Sequence, residues 1–279
     1  NTLRNEGTIS ADTVTAKAGT LNNQGQIQAN TLQVDTSTVN NTGTISIGQT
    51  GTINTATLNN SGTIGSKGAL AITSNSVNNG GTLYAAQNGQ LTTGSLLGDG
   101  KVYGGQDFTI TVGNPFTNGT TGELKAGGKL NLNLASGFTN LGQVEAGTVN
   151  LNTTTLDNQQ TINGGVVHIN ASPIKNTTTI SGGLVDIKAG TLVNDGPKAL
   201  IMAGAGGNLK ITTKASGNDP DLLNTNGATI YSGRDMQLNG GHIHNFSSVI
   251  EAEGNLHIES NRLENTRIAD KTTSIIVDP

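Results

Sequence analysis

The chain has no cysteine and no tryptophan, and aromatic residues make up 3% of its 279 positions. The first absence excludes disulfide staples and zinc-thiolate sites, and suits a secreted protein that crosses membranes unfolded. The second leaves too little bulk to fill a wide globular core, as do hydrophobic residues at 33%. Charge is sparse as well: 12% of residues are charged, the net charge is −4, and no basic cluster is present, which argues against a nucleic-acid partner. No apolar run is long enough to span a bilayer, and no charged segment leads into an apolar one, so neither a membrane span nor a signal peptide is expected. The patterns G-x-S-x-G and H-E-x-x-H and a phosphate-binding loop are missing, so the chain reads as a non-enzyme without cofactor or metal.

What is present is a repeat. LNNQGQIQANTLQV (21–34) has an aliphatic residue, Asn two positions on, then Gly, then Ile two further, then an alternating apolar pair. The Asn recurs at Asn5, Asn23, Asn41, Asn60 and Asn79, and again at Asn118, Asn140, Asn158, Asn176 and Asn194, in steps of 18 to 22 apart from one of 39. The long step is two coils if LGDGKVYGGQDFTI (97–110) is a copy with Asp99 in the Asn place. Looser copies place the Asn at Asn224 or Asn226, then at Asn245 and Asn265. Self-similarity with a period near twenty signals a solenoid of about fourteen coils.

The period inside each unit is two, as in Leu130-Asn131-Leu132, and turn residues fall every five or so positions. Three short strands per coil, each paired with its equivalent one coil away, make a parallel β-helix about 60 Å long at roughly 4.8 Å per coil. Such a core is thin and continuous, and suits the composition. Glycine is expected at corners with positive φ. Each repeated Asn, two after an inward aliphatic, should face inward at a corner, bonding its own corner and the Asn of the next coil.

Some positions stand out from the repeat. Tyr84 and Tyr103 fall in the same outward register one coil apart, and Tyr231 takes that register further along. Outward aromatics stacked about 5 Å apart could grip a glycan or protein partner, or simply shield the strand ladder. Phe108, Phe116 and Phe138 occupy aliphatic positions and should be core. Lys125 and Glu145 should form a surface ion pair. The excess residues of one long step fall in 212–221, a projecting loop in which Asp219 and Asp221 are candidate partner contacts and a weak calcium candidate. His242 and His244 should be exposed and solvated, with His257 near in register. Glu251, Glu253 and Asp235 are the nearest thing to an acidic cluster, and a charged solvent face explains them. The chain opens inside the repeat, which predicts a piece of a longer protein, and after Asn265 the pattern fades, so 1–265 reads as the repeat domain and 266–279 as an end strand or the lead into another module.

The recurrent units LNNQGQI, VNNTGTI and LNNSGTI, alternating with GGKLNL (127–132), GGNLKI (206–211) and EGNLHI (253–258), resemble the filamentous haemagglutinin repeats of large Gram-negative exoproteins. These are two-partner-secretion proteins that include adhesins and contact-dependent growth-inhibition toxins. The resemblance implies an extracellular, right-handed parallel β-helix at the bacterial surface, exported through an outer-membrane transporter and meeting a receptor protein or glycan on a target cell. It casts the chain as a rod segment that mediates adhesion or presents a toxin. The alternative from the residues alone is a glycan-binding or glycan-processing β-helix.

Overall fold

The computed structural model describes residues 1–214 and 219–267, and among them every regular element is a strand. All 25 strands belong to one sheet whose pairings are parallel, each strand bonded to its equivalents in the coils before and after. The chain is therefore a parallel β-solenoid of about 14 turns. Three faces make up a coil. In the middle of the chain the first is a short strand such as Phe116–Asn118, Phe138–Asn140 or Leu156–Asn158. The second and third are the two halves of a longer strand, such as Glu123–Leu134, divided where the register shifts between Ala126 and Lys129.

Alternation decides what goes inside. Leu58, Asn60, Ile64, Ser66, Leu70, Ile72, Ser74 and Val77 are all buried, while the residues between most of them are not. Pleating sends alternate side chains to opposite faces, so one narrow core runs from coil to coil. Phe108, Phe116 and Phe138 lie in it, the last two stacked with ring centroids 5.4 Å apart.

The repeated asparagines form two ladders. In the first, Asn5, Asn23, Asn41 and Asn60 each donate a hydrogen bond from Nδ2 to Oδ1 of the Asn one coil ahead, at 2.7–2.8 Å, ending on Asn79. The second runs from Asn118 through Asn140, Asn158, Asn176, Asn194, Asn224 and Asn245 to Asn265. Asn224, not Asn226, is the member at that coil. The other N–H of the same carboxamide goes to a main-chain carbonyl of the coil ahead, for example Asn23 to Thr44 O and Asn60 to Thr82 O. A buried carbonyl at a corner has left the strand ladder and needs this partner.

Asp99 does not belong to the ladder. Leu96 and Leu97 pair with Val77 and Asn78, so Gly98 is the residue level with Asn79, and Asp99 is exposed. Asn79 Nδ2 still reaches the expected main-chain acceptor, Lys101 O, with no side-chain oxygen in line beyond it. Gly98 takes φ of +89°, a conformation that favours glycine, and this turn directs Asp99 outward. A buried carboxylate there would also lack the donors that continue an amide ladder.

The motif glycines work by close approach. A Cβ added at Gly25, Gly43, Gly62 or Gly81 would lie 2.0–2.1 Å from the carbonyl oxygen of the equivalent glycine one coil back. Positive φ, expected at glycine corners generally, is confined among described glycines to Gly98, Gly196, Gly206 and Gly227.

Asn140→Leu should lower stability by about 1 to 3 kcal/mol, because it leaves corner groups on both sides without partners. Gly62→Ala should also destabilise, since a backbone carbonyl must move, whereas Thr117→Ala on the exposed side of the same type of strand should fall within about 0.5 kcal/mol of the parent. Urea unfolding of the three variants checks the order.

Candidate functional site

Parallel register puts the second-face residues Tyr84, Tyr103, Lys125, Glu145 and, seven coils beyond Tyr84, Tyr231 into one outward column. Tyr84 and Tyr103 are adjacent in it, but their rings are not among the stacked pairs of the described residues. The two side chains lean apart. Tyr84 leans back over Gly65, where a Cβ would touch its Cδ1 at 3.7 Å, and Tyr103 reaches forward to donate its hydroxyl to Glu123 Oε2 at 2.6 Å. Tyr231 likewise donates to Glu253. An aromatic platform expected from Tyr84 and Tyr103 is thereby replaced by separate rings, each engaged with its own neighbour.

Around Tyr103 lies a chain of charges: Lys101 Nζ is 2.7 Å and Lys125 Nζ 3.2 Å from Glu123, and Lys125 is 3.5 Å from Glu145. The Lys101 ammonium, followed by the Tyr103 hydroxyl, holds the Glu123 carboxyl well down, at about 2. The network is solvated, so its worth is small for its length.

Thr212 and Thr213 still belong to the strand Leu200–Thr213, so the predicted 212–221 loop starts two residues later than expected, and its far end is anchored by one of its own acids. Asp221 is buried, and accepts hydrogen bonds from Thr213 Oγ1 at 2.7 Å, from the Gly241 main-chain N–H at 2.8 Å and from that of His242. Burial alone would raise its pKa, yet the His242, Thr213 and Gly241 donors hold it below the usual carboxylate value. Asp221 is thus a tie at the loop's base and not an exposed contact or calcium ligand; Asp219 remains exposed, and residues 215–218 lie outside the described residues. Three donors outweigh desolvation, which a reading of loop composition does not reveal.

His242 is also buried, correcting the expectation of a solvated histidine. Its Nε2 lies 2.9 Å from Glu264 Oε2, and its ring stacks on His244 at 6.3 Å. His257 sits on the third face, level with Gln237. Among the described residues no group of three or more His, Cys, Asp or Glu is placed to hold a metal ion. The nearest acids on the flank are individually engaged: Glu253 by Tyr231, and Asp235 by the Asn255 main-chain N–H at 2.9 Å.

The third face carries a feature that repeat arithmetic does not show. Its outward column runs Thr52, Ala71, Gln90, Thr109, Asn131, Asn150, His168, Asp186, Lys210, Gln237 and His257. Three shallow hollows, of about 470, 440 and 510 Å³, lie along it, the first and second meeting at Asn131, the second and third at Asp186. Together they form a trough. Up to Asn150 this column is polar or small and uncharged, and Asn150 donates to Asn131 Oδ1 at 2.8 Å. The sequence signal was the middle residue of each L-x-L segment, which reads as plain solvent-facing polarity until coils are stacked.

These features define a class: a non-globular repeat protein, built of strands throughout its described residues, that presents columns of side chains along a rod. The haemagglutinin repeat model matches residues 2–31, 27–94, 80–133 and 204–277, more than half of the chain, and the chain belongs to the haemagglutinin repeat family. No curated protein and no solved structure matches it. The unmatched stretch 134–203 is structurally continuous with the rest, since Asn140, Asn158, Asn176 and Asn194 carry the ladder through it. Family and fold together make the chain a rod-like segment of adhesin type.

Because Glu123 titrates lower folded than its ordinary 4.5, the network's contribution is present above pH 4.5 and is lost as pH falls toward about 2. After discounting for solvent the loss should be about 1 kcal/mol or less. Glu123→Gln should flatten the difference in unfolding midpoint between pH 5 and pH 2, measured by urea titration at both ends (about 0.5 kcal/mol is resolvable on such a series). Separately, Asp221→Ala should speed proteolytic nicking within 212–221 while leaving cleavage elsewhere unchanged, as the digestion pattern would show.

Proposed function

We propose that this chain is a shaft segment of a large secreted exoprotein on a Gram-negative cell surface, exported with the help of an outer-membrane transporter of the two-partner type. Its task is to extend and display, either for adhesion or to carry a contact-dependent toxin toward a neighbouring cell. The observation that supports this best is the unbroken stacking of coils over the described residues, with membership of the haemagglutinin repeat family. A stacked coil lengthens the molecule by a fixed increment of about 4.8 Å, so coil number sets reach.

Selective contact with a receptor needs something that breaks the regular ridges. On the second face Tyr84, Tyr103 and Tyr231 do so, and Asp219 does at the loop. As an adhesin-type rod the chain does no chemistry of its own: incubation with neutral and acidic polysaccharides should release no reducing ends or unsaturated products, and turnover abolished by Glu251→Gln or Glu253→Gln would contradict this.

Purified rod applied to target cells should bind saturably if it carries a receptor site, and Tyr84→Ala with Tyr103→Ala should then weaken binding at least about tenfold. If the rod is pure spacer it will not bind, and removing whole coils from the full-length protein should reduce delivery or attachment without changing affinity. Saturable binding that ignores both the tyrosines and the loop would move the contact to another face.

A further inference from the structure

We propose that the third-face trough is a binding site for an extended, neutral glycan chain lying along the rod, with Asp186 as its principal hydrogen-bond anchor. This rests on the reading of the rod as a surface-displayed binding segment and names the partner's chemistry.

Asp186 lies where two of the three hollows meet. Its Oδ1 is shielded from solvent and has no hydrogen-bond partner among the described residues, while Oδ2 sits 3.9 Å from His168 Nδ1. The side chain as a whole is 27% exposed, so Oδ2 is the oxygen that accepts from a donor entering the trough. A sugar hydroxyl is a donor of the right size.

The rest of the trough selects among ligands. A peptide strand binds a sheet by adding to an open edge, but here the backbone groups of the third face are used in parallel pairing with the coils on both sides. A face with a saturated backbone can offer only side chains. Asn131 and Asn150 each carry both donors and an acceptor, which matches hydroxyl groups that also do both. The trough is lined by Asp107, Asp186 and Asp235 against Lys188 and Lys210, and its stretch from Thr52 to Asn150 holds no cation, so it has no positive excess to hold a polyanion. The column advances roughly 4.8 Å per coil, close to the advance per sugar of an extended β-linked chain, so one repeat of the ligand meets one repeat of the protein. The rings in the column are the small imidazoles of His168 and His257, with no phenyl, phenol or indole face to stack on a sugar. Single contacts are therefore weak, and affinity must accumulate along the chain.

The test is titration of the purified rod with β-linked glucose, mannose, galactose and N-acetylglucosamine oligomers, each from monosaccharide to hexasaccharide, with α-linked glucose oligomers and heparin as contrasting arms. At least one β-linked series should bind with affinity rising with length, monosaccharides should show no measurable binding, and the coiling α-linked chains and heparin should bind less well than that series. Asp186→Ala should weaken the longest oligomer about tenfold with an unchanged urea midpoint, Asn150→Ala should weaken it to a smaller extent, and Thr117→Ala on the first face should leave it unchanged. Absence of binding across the β-linked panel, binding that is independent of length, preference for heparin, or indifference to both Asp186→Ala and Asn150→Ala would overturn the proposal. If cells are bound while no oligomer is, the trough assignment fails and the display reading stands; if oligomers are bound and cells are not, the reverse holds.

Discussion

The interaction on which the rest of the molecule depends is the carboxamide bond from one coil's inward asparagine to the next. Parallel pairing satisfies the backbone along the flat faces, but at a corner the chain leaves the sheet, and its carbonyls need donors that a narrow apolar core does not contain. One Asn in each coil but that of Gly98 supplies them: a hydrogen to a main-chain oxygen and a hydrogen to the next Asn, as between Asn41, Thr63 and Asn60. This requires coils to stay level with one another. The glycines that let neighbouring corners lie nearly in contact, Gly43 against Gly25 and Gly62 against Gly43, follow from the same demand.

Where that demand changes, the interior changes with it. Through the first coils a second inward column is made of hydroxyls, Thr36, Thr55, Ser74 and Thr93, which bond one another and nearby carbonyls, as Thr93 does with Ser95 O at 2.9 Å. In the following coils the level positions are Val112 and Leu134, both buried. The switch occurs beside Gly98, where the asparagine column is also interrupted, and it coincides with the entry of Phe108, Phe116 and Phe138. One solenoid thus contains two kinds of filling on either side of a single corner.

Most of this architecture was legible because a repeat multiplies weak signals: one Leu-x-Asn means little, and more than ten at a constant spacing specify coil length, strand period and inward face together. What stayed hidden depends on single positions. Spacing alone could not choose between Gly98 and Asp99, since one residue of slip is decided by a backbone turn. Asp221 looked like loop surface because two of its three donors, the Gly241 and His242 main-chain N–H groups, come from some twenty residues further along the chain. The outward column Asn22, Asn40 and Asn59, bonded at 2.8 Å per step, was present in the doubled NN of the motif but was overshadowed by its inward companion. The candidate trough needed stacked coils before its members could be seen as neighbours. Tyr84 and Tyr103 show the converse, since register was readable and ring direction was not.

The inward asparagines all donate in one sense, from each coil to the coil that follows it in sequence, while Asn40 and Asn59 on the outside donate in the opposite sense. A coil that has just closed therefore shows its successor a pair of oriented amide hydrogens and an open strand ladder. Closing the next turn needs only about twenty residues of chain, a local event with a modest entropy of closure. The molecule is in this respect a one-dimensional crystal, in which each completed layer is the seed for the next and growth along the chain has a built-in direction.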